Sequence, residues 1–541
     1  MRCTWAVTLG LISVGCKSDI LVGWSGTPDA DTPPMILLIP NIDDDNEDGT
    51  IDWETPLQVE GEDDLATVSL ANKRRATTIS LARTNDQVRI SHNGRVVLGP
   101  RLPATWTLPA RSKGDTIDIN IEAESWGDLG SLIITDDKSG EYVEVPLVGS
   151  PPTMGHHLLP TEQVFVVGLD YPGYSNADMI ADMQAVLGDK LTVVPGGTVG
   201  DDPWMQDEPE WFNMWSPDGE NRFILDSIRN GNGDGGLDPF PETQIRPGMS
   251  IQVHGDPGGA TTFDAFGNLE VSPPVSANGV EYPLGRMYYG WDGRATGGYE
   301  LGPQVAVRDF LASLGDQEPF WVDTSWLCVG HIDEVTSFLP DPTAPRGFRF
   351  LIADTGLGLE TLKTKPESFS IGRHGLRGFR GHNRPTIGSY INDNALIAYN
   401  EDLQQDYIEP ILATFTEELD LTADEIVRVP AFFEEEADQF GVCGALAVIP
   451  GSVNLLMITD ETGEGGTAIL ADPFLRPDGA PQTDDPFLVA WTELMPDGVE
   501  PIFVDDWSVY HMGAGEVHCA TNQERNAALS TTDLSAWMEA Q

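Results

Sequence analysis

The sequence predicts an α+β protein of more than one domain, in which a β-sandwich is followed by a larger region of mixed α and β structure. The chain has 541 residues, which is more than one compact core usually accommodates. As far as about Val148, short β-prone runs recur between turn-rich gaps, without long helical patterns. From Gln163 onward, segments with apolar residues at helical spacing lie between β-prone runs. We therefore expect a domain boundary shortly after residue 150.

The first residues predict an export signal. Arg2 precedes the largely apolar stretch 4–14, which is too short to span a membrane comfortably. Cys16 follows in a segment that only partly matches the motif for lipid attachment, so a lipid anchor at Cys16 and simple cleavage both stay open. We expect residues 1–16 to be the signal and residues 17–34 a linker. The protein is then secreted or lipid-anchored outside the cytoplasm, with no transmembrane span.

Residues 35–150 are predicted to form the β-sandwich. Several short strands at this spacing, separated by turn residues, are typical of that architecture. The expected strands are 67–70, 77–81, 88–91, 106–108, 117–121, 132–134 and 142–145.

Residues 155–541 are predicted to combine helices with strands as far as the C-terminus. A later helix, from about Leu403 to Leu419, contains Pro410, which is expected to kink or interrupt it. The other expected elements are a strand at 164–167, a helix at 176–187, and strands at 191–194 and 348–353.

The chain is strongly acidic. Its 86 acidic and 30 basic residues give a formal net charge of -56 at pH 7. Such a charge repels nucleic acid and anionic lipid head groups, and it attracts cations and basic polypeptides. We therefore expect no nucleic-acid partner. Adaptation to a salt-rich environment, calcium loading and attraction of basic substrates are all compatible with this acidity.

Three short segments together supply a thiol, an imidazole and two carboxylates. The segments are 204–208, 330–334 and 515–522, and the side chains are Cys519, His331, Asp207 and Asp333. A thiol beside a proton-transfer group is the usual pair for covalent catalysis. Two added carboxylates do not suit attack on an ordinary amide, but they match the planar fork of donors on a guanidinium. The combination indicates chemistry at a guanidinium carbon.

These segments resemble motifs of the protein-arginine deiminase family, and so do residues 263–275 and 281–286. The resemblance implies that residues 35–150 form an immunoglobulin-like, calcium-binding middle domain. It also implies that residues 155–541 form a five-bladed α/β-propeller of the pentein type, with the active site at its axis. The chain is expected to be a bacterial-type, two-domain member of the family.

The same resemblance implies a role for each reactive side chain. Cys519 is the expected nucleophile, His331 the acid and base, and Trp204 the residue that packs along the arginine stem. Asp207 and Asp333 are expected to hold the guanidinium. The implied reaction hydrolyses arginine side chains of proteins to citrulline, with release of ammonia, through a thiouronium intermediate on Cys519. In an extended segment, His331 and Asp333 would share one face.

Three cysteines remain beyond the predicted signal. This odd number argues against a dense disulfide framework and indicates at least one free thiol. Cys328 and Cys443 lie beside apolar residues and are expected to pack as small hydrophobic side chains. Cys519 lies in a polar, glycine-flanked segment, which favours an accessible thiol.

The resemblance implies that Ca²⁺ is the cofactor, held by oxygen ligands of the kind this ion prefers. In an extended segment, side chains on either side of Asp207 would point away from the substrate, so that bound calcium would order the loop presenting Asp207. One implied site comprises Gln206, Glu210, Phe266, Leu269 and Glu270. The second comprises Glu208, Asp226, Ser227 and Asn230. The third, in the middle domain, comprises Asn41, Asp43 and Asp45.

The middle-domain loop is not predicted to be an EF-hand. Residues 41–52 are rich in oxygen ligands and contain Gly49 where such a loop turns sharply. The glutamate expected at position twelve of an EF-hand is Thr55 in this chain.

Other functions stay open from the sequence. Arginines that position the peptide in vertebrate relatives fall on Gly231 and Gly513 here, so substrate docking is expected to differ. Because the catalytic residues read only the guanidinium, deimination of free or terminal arginine stays open. Transfer or deimination on another small guanidino compound is a further alternative. A secreted calcium-binding surface protein without catalysis is another. A papain-like protease would not need paired guanidinium carboxylates. Arginine-containing proteins or peptides are the expected partners, and the sequence leaves the oligomeric state open.

Overall fold

The computed structural model describes most of the chain between residues 35 and 526. The described residues are 6–8, 11–13, 20–24, 35–42, 51–54, 64–72, 79–108, 116–137, 140, 142–216, 219–229, 236–244, 249–294, 301–377, 382–438 and 441–526.

Two β-sheets make up the N-terminal part of the described chain, and apolar side chains from both, such as Val68 and Leu132, are buried in one cluster. Among the described strand pairs of these two sheets, all are antiparallel except the parallel pair of Ile36–Leu38 with Tyr142–Gly149. The first sheet has the order Ala6–Thr8, Leu11–Ser13, Ile20–Trp24, Ala66–Asn72, Thr116–Ala123, Val88–His92 and Arg95–Leu98. The second has the order Ile36–Leu38, Tyr142–Gly149, Gly127–Asp136, Ile79–Arg83 and Thr105–Leu108.

The seven strands expected between residues 67 and 145 are all present, most of them longer than predicted. Strands Ile36–Leu38 and Arg95–Leu98 were not predicted. Three further strands lie between residues 6 and 24. This stretch is predicted to be a signal and a linker, and the strands do not test that prediction. Within the described ranges, no helix is both long and apolar enough to cross a membrane.

Five small sheets in the rest of the described chain repeat one pairing pattern. In each, a central strand pairs antiparallel with one neighbour and parallel with another. The central strands are Thr161–Gly168, Gly219–Asp226, Met287–Gly290, Phe348–Asp354 and Gly466–Ala471. Their antiparallel partners are, in the same order, Thr521–Arg525, Pro209–Ser216, Leu269–Val271, Thr336–Pro340 and Leu456–Thr459. Their parallel partners are Leu191–Pro195, Met249–Val253, Phe320–Val322, Ile426–Pro430 and Val499–Val504.

Shorter elements complete this region. Thr153–Met154 adds a strand beside Pro209–Ser216. Two-stranded hairpins join Asp170–Tyr171 with Tyr174–Ser175, Val275–Ala277 with Val280–Tyr282, and Phe433–Asp438 with Gly441–Ala447. The α-helices are Ala177–Leu187, Phe240–Thr243, Val305–Ser313, Thr355–Lys363, Arg373–Arg377, Gly388–Ile391, Asn394–Leu403, Glu409–Glu418 and Pro486–Leu494. The mixed α and β architecture predicted for this region is confirmed.

The helix predicted from about residue 403 begins earlier, at Asn394. A π-helical turn, Gln404–Ile408, joins Asn394–Leu403 to Glu409–Glu418. Pro410 lies in the first turn of the last segment, where its missing N–H costs little because the preceding turn is already irregular. The predicted interruption therefore precedes the proline.

The turns that lead into the five antiparallel partner strands form one cluster. Asp207, Gly267, Asp333, Asn454 and Cys519 each lie two or three residues before one of these strands. The pairing of Thr161–Gly168 with Thr521–Arg525 brings the end of this region back to its beginning and carries Cys519 with it. Among the described residues, no sheet is closed on itself. The five-bladed propeller and the immunoglobulin-like topology remain predictions.

Candidate functional site

The side chains of Asp207, His331 and Asp333 converge on the Cα atom of Gly267. A Cβ atom placed on Gly267 would lie 2.5 Å from His331 Nδ1, 3.2 Å from Asp207 Oδ1 and 3.3 Å from Asp333 Oδ2. Gly267 is not among the residues with positive φ. Its lack of a side chain therefore provides room for the three polar groups, and its backbone makes no demand for glycine.

The two predicted guanidinium-binding carboxylates each keep one acceptor open. Asp207 Oδ1 and Asp333 Oδ1 are buried and have no hydrogen-bond partner among the described residues. Burial raises the pKa of Asp207, although His331 and Arg229 oppose the shift. Unpaired buried carboxylate oxygens are costly, and a cation that donates hydrogen bonds to them removes that cost.

Cys519 lies beside Asp333, at the start of the last strand. Its Sγ is 3.5 Å from Asp333 Oδ2 and 3.4 Å from Glu334 Oε1, and it accepts a hydrogen bond of 3.1 Å from Asn454 Nδ2. Asn454 also fixes the backbone of this turn, because its Oδ1 accepts from the backbone N–H groups of His518 and Cys519 at 2.9 and 3.3 Å. The thiol is free, as predicted, but only 4% of Cys519 is exposed. The expectation of an accessible thiol was wrong in this respect, because the surrounding turns cover it.

Burial raises the pKa of the Cys519 thiol well above its usual value, and the neighbouring Asp333 and Glu334 carboxylates add to the shift. Burial likewise raises the pKa of Glu334 well above its ordinary value, with Asp333 contributing. The neutral thiol is therefore favoured when no cation is bound. A positively charged molecule between the carboxylates would stabilise the thiolate by offsetting their charge.

His331 is oriented by a hydrogen bond to the backbone. Its Nε2 donates to the carbonyl oxygen of Thr262 at 2.8 Å, since a carbonyl can only accept. This leaves Nδ1 directed at the site, 3.7 Å from Asp207 Oδ1. His331 and Asp333 do not share a face of an extended segment as predicted, because Ile332–Glu334 forms a 3-10 turn. That turn still carries both side chains to Gly267.

Trp204 borders the same cluster. Its indole lies edge-on against Tyr510, with 5.8 Å between ring centroids. A Cβ atom on Gly513 or Gly515 would come within 2.8 or 2.7 Å of the indole, and one on Gly515 would also lie 3.1 Å from Cys519 Sγ. The two glycines before the thiol therefore let the ring of Trp204 lie against the Cys519 segment.

Arg229 already occupies one of the two predicted guanidinium-binding carboxylates. Its Nη1 is 3.1 Å from Asp207 Oδ2 and its Nε is 2.9 Å from Glu208 Oε2, while its Nη2 pairs with Asp202. The guanidinium is largely buried between these three acidic side chains. The chain's own arginine thus neutralises the region that a substrate cation would approach.

Replacing Arg229 by glutamine is expected to tighten Ca²⁺ binding at the second predicted calcium site by roughly fivefold, equivalent to ~1 kcal/mol. Three acidic side chains then lose their internal counter-ion, so external cations bind there more tightly. The measurement is a calcium-binding titration, run beside the Arg222→Gln variant, whose guanidinium pairs with Glu162 instead. An unchanged or higher midpoint in Arg229→Gln would contradict this expectation.

Several residues of the cluster were not predicted. Gly267, Asn454, Glu334, His518 and Arg229 all contact predicted site residues. Glu334, His518 and Gly267 lie within matched motifs, so their proximity to the reactive residues was the available signal. Asn454 precedes a strand for which no motif was noted, and only the fold brings it to Cys519.

The family model for protein-arginine deiminase matches residues 143–530. The chain belongs to the protein-arginine deiminase family. The match covers most of the chain and contains every predicted catalytic residue.

Two protein-arginine deiminases of other organisms agree with this assignment. The type-3 protein-arginine deiminase of Rattus norvegicus is 31% identical over 454 residues, which cover 80% of this chain and 64% of the relative. The type-4 enzyme of Homo sapiens is 28% identical over 536 residues, which cover 90% of this chain and 76% of the relative. The chain thus spans less than two thirds of the length of the rat relative. A solved agmatine deiminase of Enterococcus faecalis matches with 12% identity and a TM-score of 0.37, over 69% of this chain and 96% of that chain.

In this protein-arginine deiminase family member, the described residues of the second predicted calcium site fit a cation. Glu208 and Asp226 are buried carboxylates, and Asp226 Oδ1 has no hydrogen-bond partner among the described residues. Burial raises the pKa of each to about 8, and Glu208 adds to the shift of Asp226. Ser227 joins them through its backbone N–H, which donates to the Glu208 carbonyl oxygen at 3.1 Å. Asn230 lies outside the described residues.

The first predicted calcium site is also assembled. Gln206 Nε2 donates to Glu210 Oε2 at 3.1 Å, and burial and the nearby Glu270 raise the pKa of Glu210 well above its ordinary value. Phe266 and Leu269 are buried, in the turn Phe266–Asn268 and in the strand Leu269–Val271, which also contains Glu270. The alternation predicted around Asp207 is interrupted by the 3-10 turn Met205–Asp207. Gln206 contacts Glu210 as the prediction requires, but the predicted separation of Glu208 from Asp207 was wrong, because both carboxylates pair with Arg229.

The middle-domain site is described only at Asn41. Its side chain is buried and its Nδ2 donates to Glu122 Oε2 at 3.3 Å, within an ion pair between Glu122 and Arg89. Asp43 and Asp45 lie outside the described residues.

The prediction that Cys328 and Cys443 pack as separate small side chains was wrong, because they form a disulfide. They are 115 residues apart in sequence, and their Cα atoms are 4.9 Å apart. A parallel bridge between Leu327 and Ala445 brings the two backbone segments together. The disulfide leaves Cys519 as the free cysteine among the described residues.

Proposed function

We propose that this chain hydrolyses arginine side chains of proteins or peptides to citrulline and ammonia, and that it does so when calcium is bound. The observation that carries the proposal is the pair of open acceptors, Asp207 Oδ1 and Asp333 Oδ1, beside the free thiol of Cys519. A guanidinium is the planar cation whose N–H groups match such a pair.

Binding would place the guanidinium between Asp207 and Asp333, with its aliphatic stem along Trp204. The positive charge offsets the carboxylates that disfavour the Cys519 thiolate, so the thiol passes its proton to a neighbouring carboxylate as the substrate binds. Glu334 and Asp333 are the acceptors closest to Sγ. Nucleophile activation is therefore coupled to the arrival of the correct cation.

The thiolate then attacks the guanidinium carbon, and a C–S bond forms. His331 donates a proton to one nitrogen as its bond to carbon breaks, which releases ammonia and leaves a thiouronium on Cys519. Water attacks the same carbon and gives a proton to His331. The C–S bond breaks, citrulline forms, and the thiol is restored. Asn454 supports the sulfur throughout, through its hydrogen bond to Sγ.

Two groups of residues would hold calcium near this centre: Gln206, Glu210 and Glu270 with the carbonyl groups of Phe266 and Leu269, and Glu208 and Asp226 with Ser227 and Asn230. Bound calcium supplies positive charge and fixed geometry to the turn that carries Asp207. Arg229 pairs with both Asp207 and Glu208. A shift of Glu208 on calcium binding would therefore be passed through the side chain of Arg229 to Asp207, which holds the substrate.

We also propose that the five small sheets are the blades of an α/β-propeller. Support comes from their common pairing pattern and from the contribution of one turn from each sheet to the reaction centre. The N-terminal segment is proposed to direct the protein out of the cytoplasm, with a lipid anchor at Cys16 as one form of attachment.

The function is tested by measuring citrulline and ammonia released from an arginine-containing peptide, with calcium and with a chelator, beside free arginine. We expect peptide turnover with calcium, its loss on chelation and its recovery when calcium is restored. Turnover of free arginine alone would replace the proposal with small-molecule deimination. No turnover of either substrate, with calcium binding intact, would favour a binding protein.

A further inference from the structure

A buried cluster of two histidines and a glutamate adjoins the reaction centre, because His518 contacts Asp333. His157 Nε2 is 3.5 Å from Glu270 Oε2, and His518 Nε2 is 3.4 Å from Glu270 Oε1. The three ligand atoms all lie within 4.8 Å of one another, and all three residues are buried.

Hydrogen bonds on the far side of each ring orient both histidines. Nδ1 of His157 donates to the carbonyl oxygen of Phe338 at 3.2 Å, and Nδ1 of His518 donates to Asp333 Oδ2 at 2.9 Å. Carbonyl and carboxylate oxygens can only accept, so each Nδ1 carries the proton of its ring. Both rings therefore direct Nε2 at Glu270. Metal-binding histidines are held in this way, by an acceptor on the nitrogen that does not bind the metal.

The donor set and its spacing select the class of metal. Two imidazole nitrogens and one carboxylate suit Zn²⁺ or a similar transition-metal ion, whereas Ca²⁺ prefers oxygen ligands alone. Tetrahedral bonds of about 2.0–2.1 Å place ligand atoms roughly 3.4 Å apart. The distances from His157 Nε2 to Glu270 Oε2 and from His518 Nε2 to Glu270 Oε1, two different oxygens of one carboxylate, are both close to that value.

Arg525 is the nearby cation that opposes metal binding. Its guanidinium donates to the carbonyl oxygens of His157, Leu159 and Met457 at 3.3, 3.0 and 3.1 Å. These bonds hold it against the backbone. Its charge also interacts with Glu270 and, second, with Glu210, and these two carboxylates offset it.

We propose that His157, His518 and Glu270 form a binding site for Zn²⁺ or a similar transition-metal ion, and that the occupied site inhibits the enzyme. The inhibitory part rests on the proposed function. Glu270 also belongs to a predicted calcium site, so the two metals compete for one carboxylate. His518 holds Asp333 Oδ2, so a metal on His518 also fixes a carboxylate that the substrate needs.

The test is a titration of the calcium-free, full-length protein with Co²⁺, followed by its visible absorption, and with Zn²⁺ as competitor. We expect one tight site in the wild-type protein and binding at least about tenfold weaker in His157→Gln, the loss typical of disturbing such a site. His156→Gln is the matched control, because His156 is equally buried but is not one of the three ligands. Thermal melting of both variants tests whether they are folded.

A second measurement needs no variant. Added calcium is expected to weaken Co²⁺ binding to the wild-type protein, and Zn²⁺ is expected to raise the calcium concentration needed for turnover. No saturable Co²⁺ site, or equal binding in His157→Gln, would overturn the site. Co²⁺ binding that calcium does not weaken would show that the two metals do not compete for Glu270. Co²⁺ absorption does not depend on turnover. If the proposed function fails, the absorption titration still reports whether the metal site exists.

Discussion

Replacing Cys519 by serine is expected to reduce turnover of an arginine peptide by on the order of 10⁴-fold or more, the scale seen when an enzyme loses its nucleophile. The hydroxyl fits the same space and can accept from Asn454 Nδ2 as the thiol does. Its oxygen is a far weaker nucleophile near neutral pH, and the acidic Asp333 and Glu334 disfavour its ionised form further. The measurement is citrulline release under saturating calcium.

Two controls separate loss of the nucleophile from loss of structure. Asn454→Ala keeps the thiol but removes the hydrogen bond to it and the two bonds from the backbone of its turn, so the expected loss is smaller, about 10- to 100-fold. Alkylation without reductant, followed by peptide mapping, reports whether the Cys519 thiol is present, since Cys328 and Cys443 are paired. Retention of more than about 1% of turnover in the serine variant would remove Cys519 from the role of nucleophile.

Local patterns correctly placed the strands and helices that were predicted, since these follow the spacing of apolar residues along a few turns of chain, but many other elements were not predicted. Helix Ala177–Leu187 differs from the predicted range by one residue at its start. The failures lie where distant segments meet. Nothing local pairs Cys328 with Cys443, because a bridge between Leu327 and Ala445 creates that proximity.

The reactive residues themselves could be predicted because they lie within recognisable motifs, but their supporting partners could not. Asn454 reaches Cys519 only because two strands from separate sheets begin at the same place. Arg229 lies close in sequence to predicted calcium ligands, yet its contact with Asp207 depends on the path of the intervening strands. Sequence spacing indicates which side chains share an element, and tertiary packing decides which elements meet.

Replacing Gly267 by alanine is expected to lower kcat/KM by about 10²- to 10³-fold, because misplacing reacting groups by about 1 Å costs roughly this much. The added methyl group would lie 2.5 Å from His331 Nδ1, which real carbon atoms do not tolerate. His331 must move away, and the contacts with Asp207 and Asp333 at 3.2 and 3.3 Å tighten as well. The added carbon also takes the space between the two carboxylates into which a guanidinium would fit.

The matched control is Gly197→Ala, where an added Cβ meets nothing within 4 Å and the backbone also avoids positive φ. Both substitutions stiffen the unfolded chain similarly, so the difference between them isolates the crowding at the site. Overpacking is expected to destabilise Gly267→Ala by about 1–3 kcal/mol, which thermal melting measures. Activity within about fivefold of wild type would show that the polar groups can separate around the methyl. In that case the convergence on Gly267 would not be the geometry in which the reaction takes place.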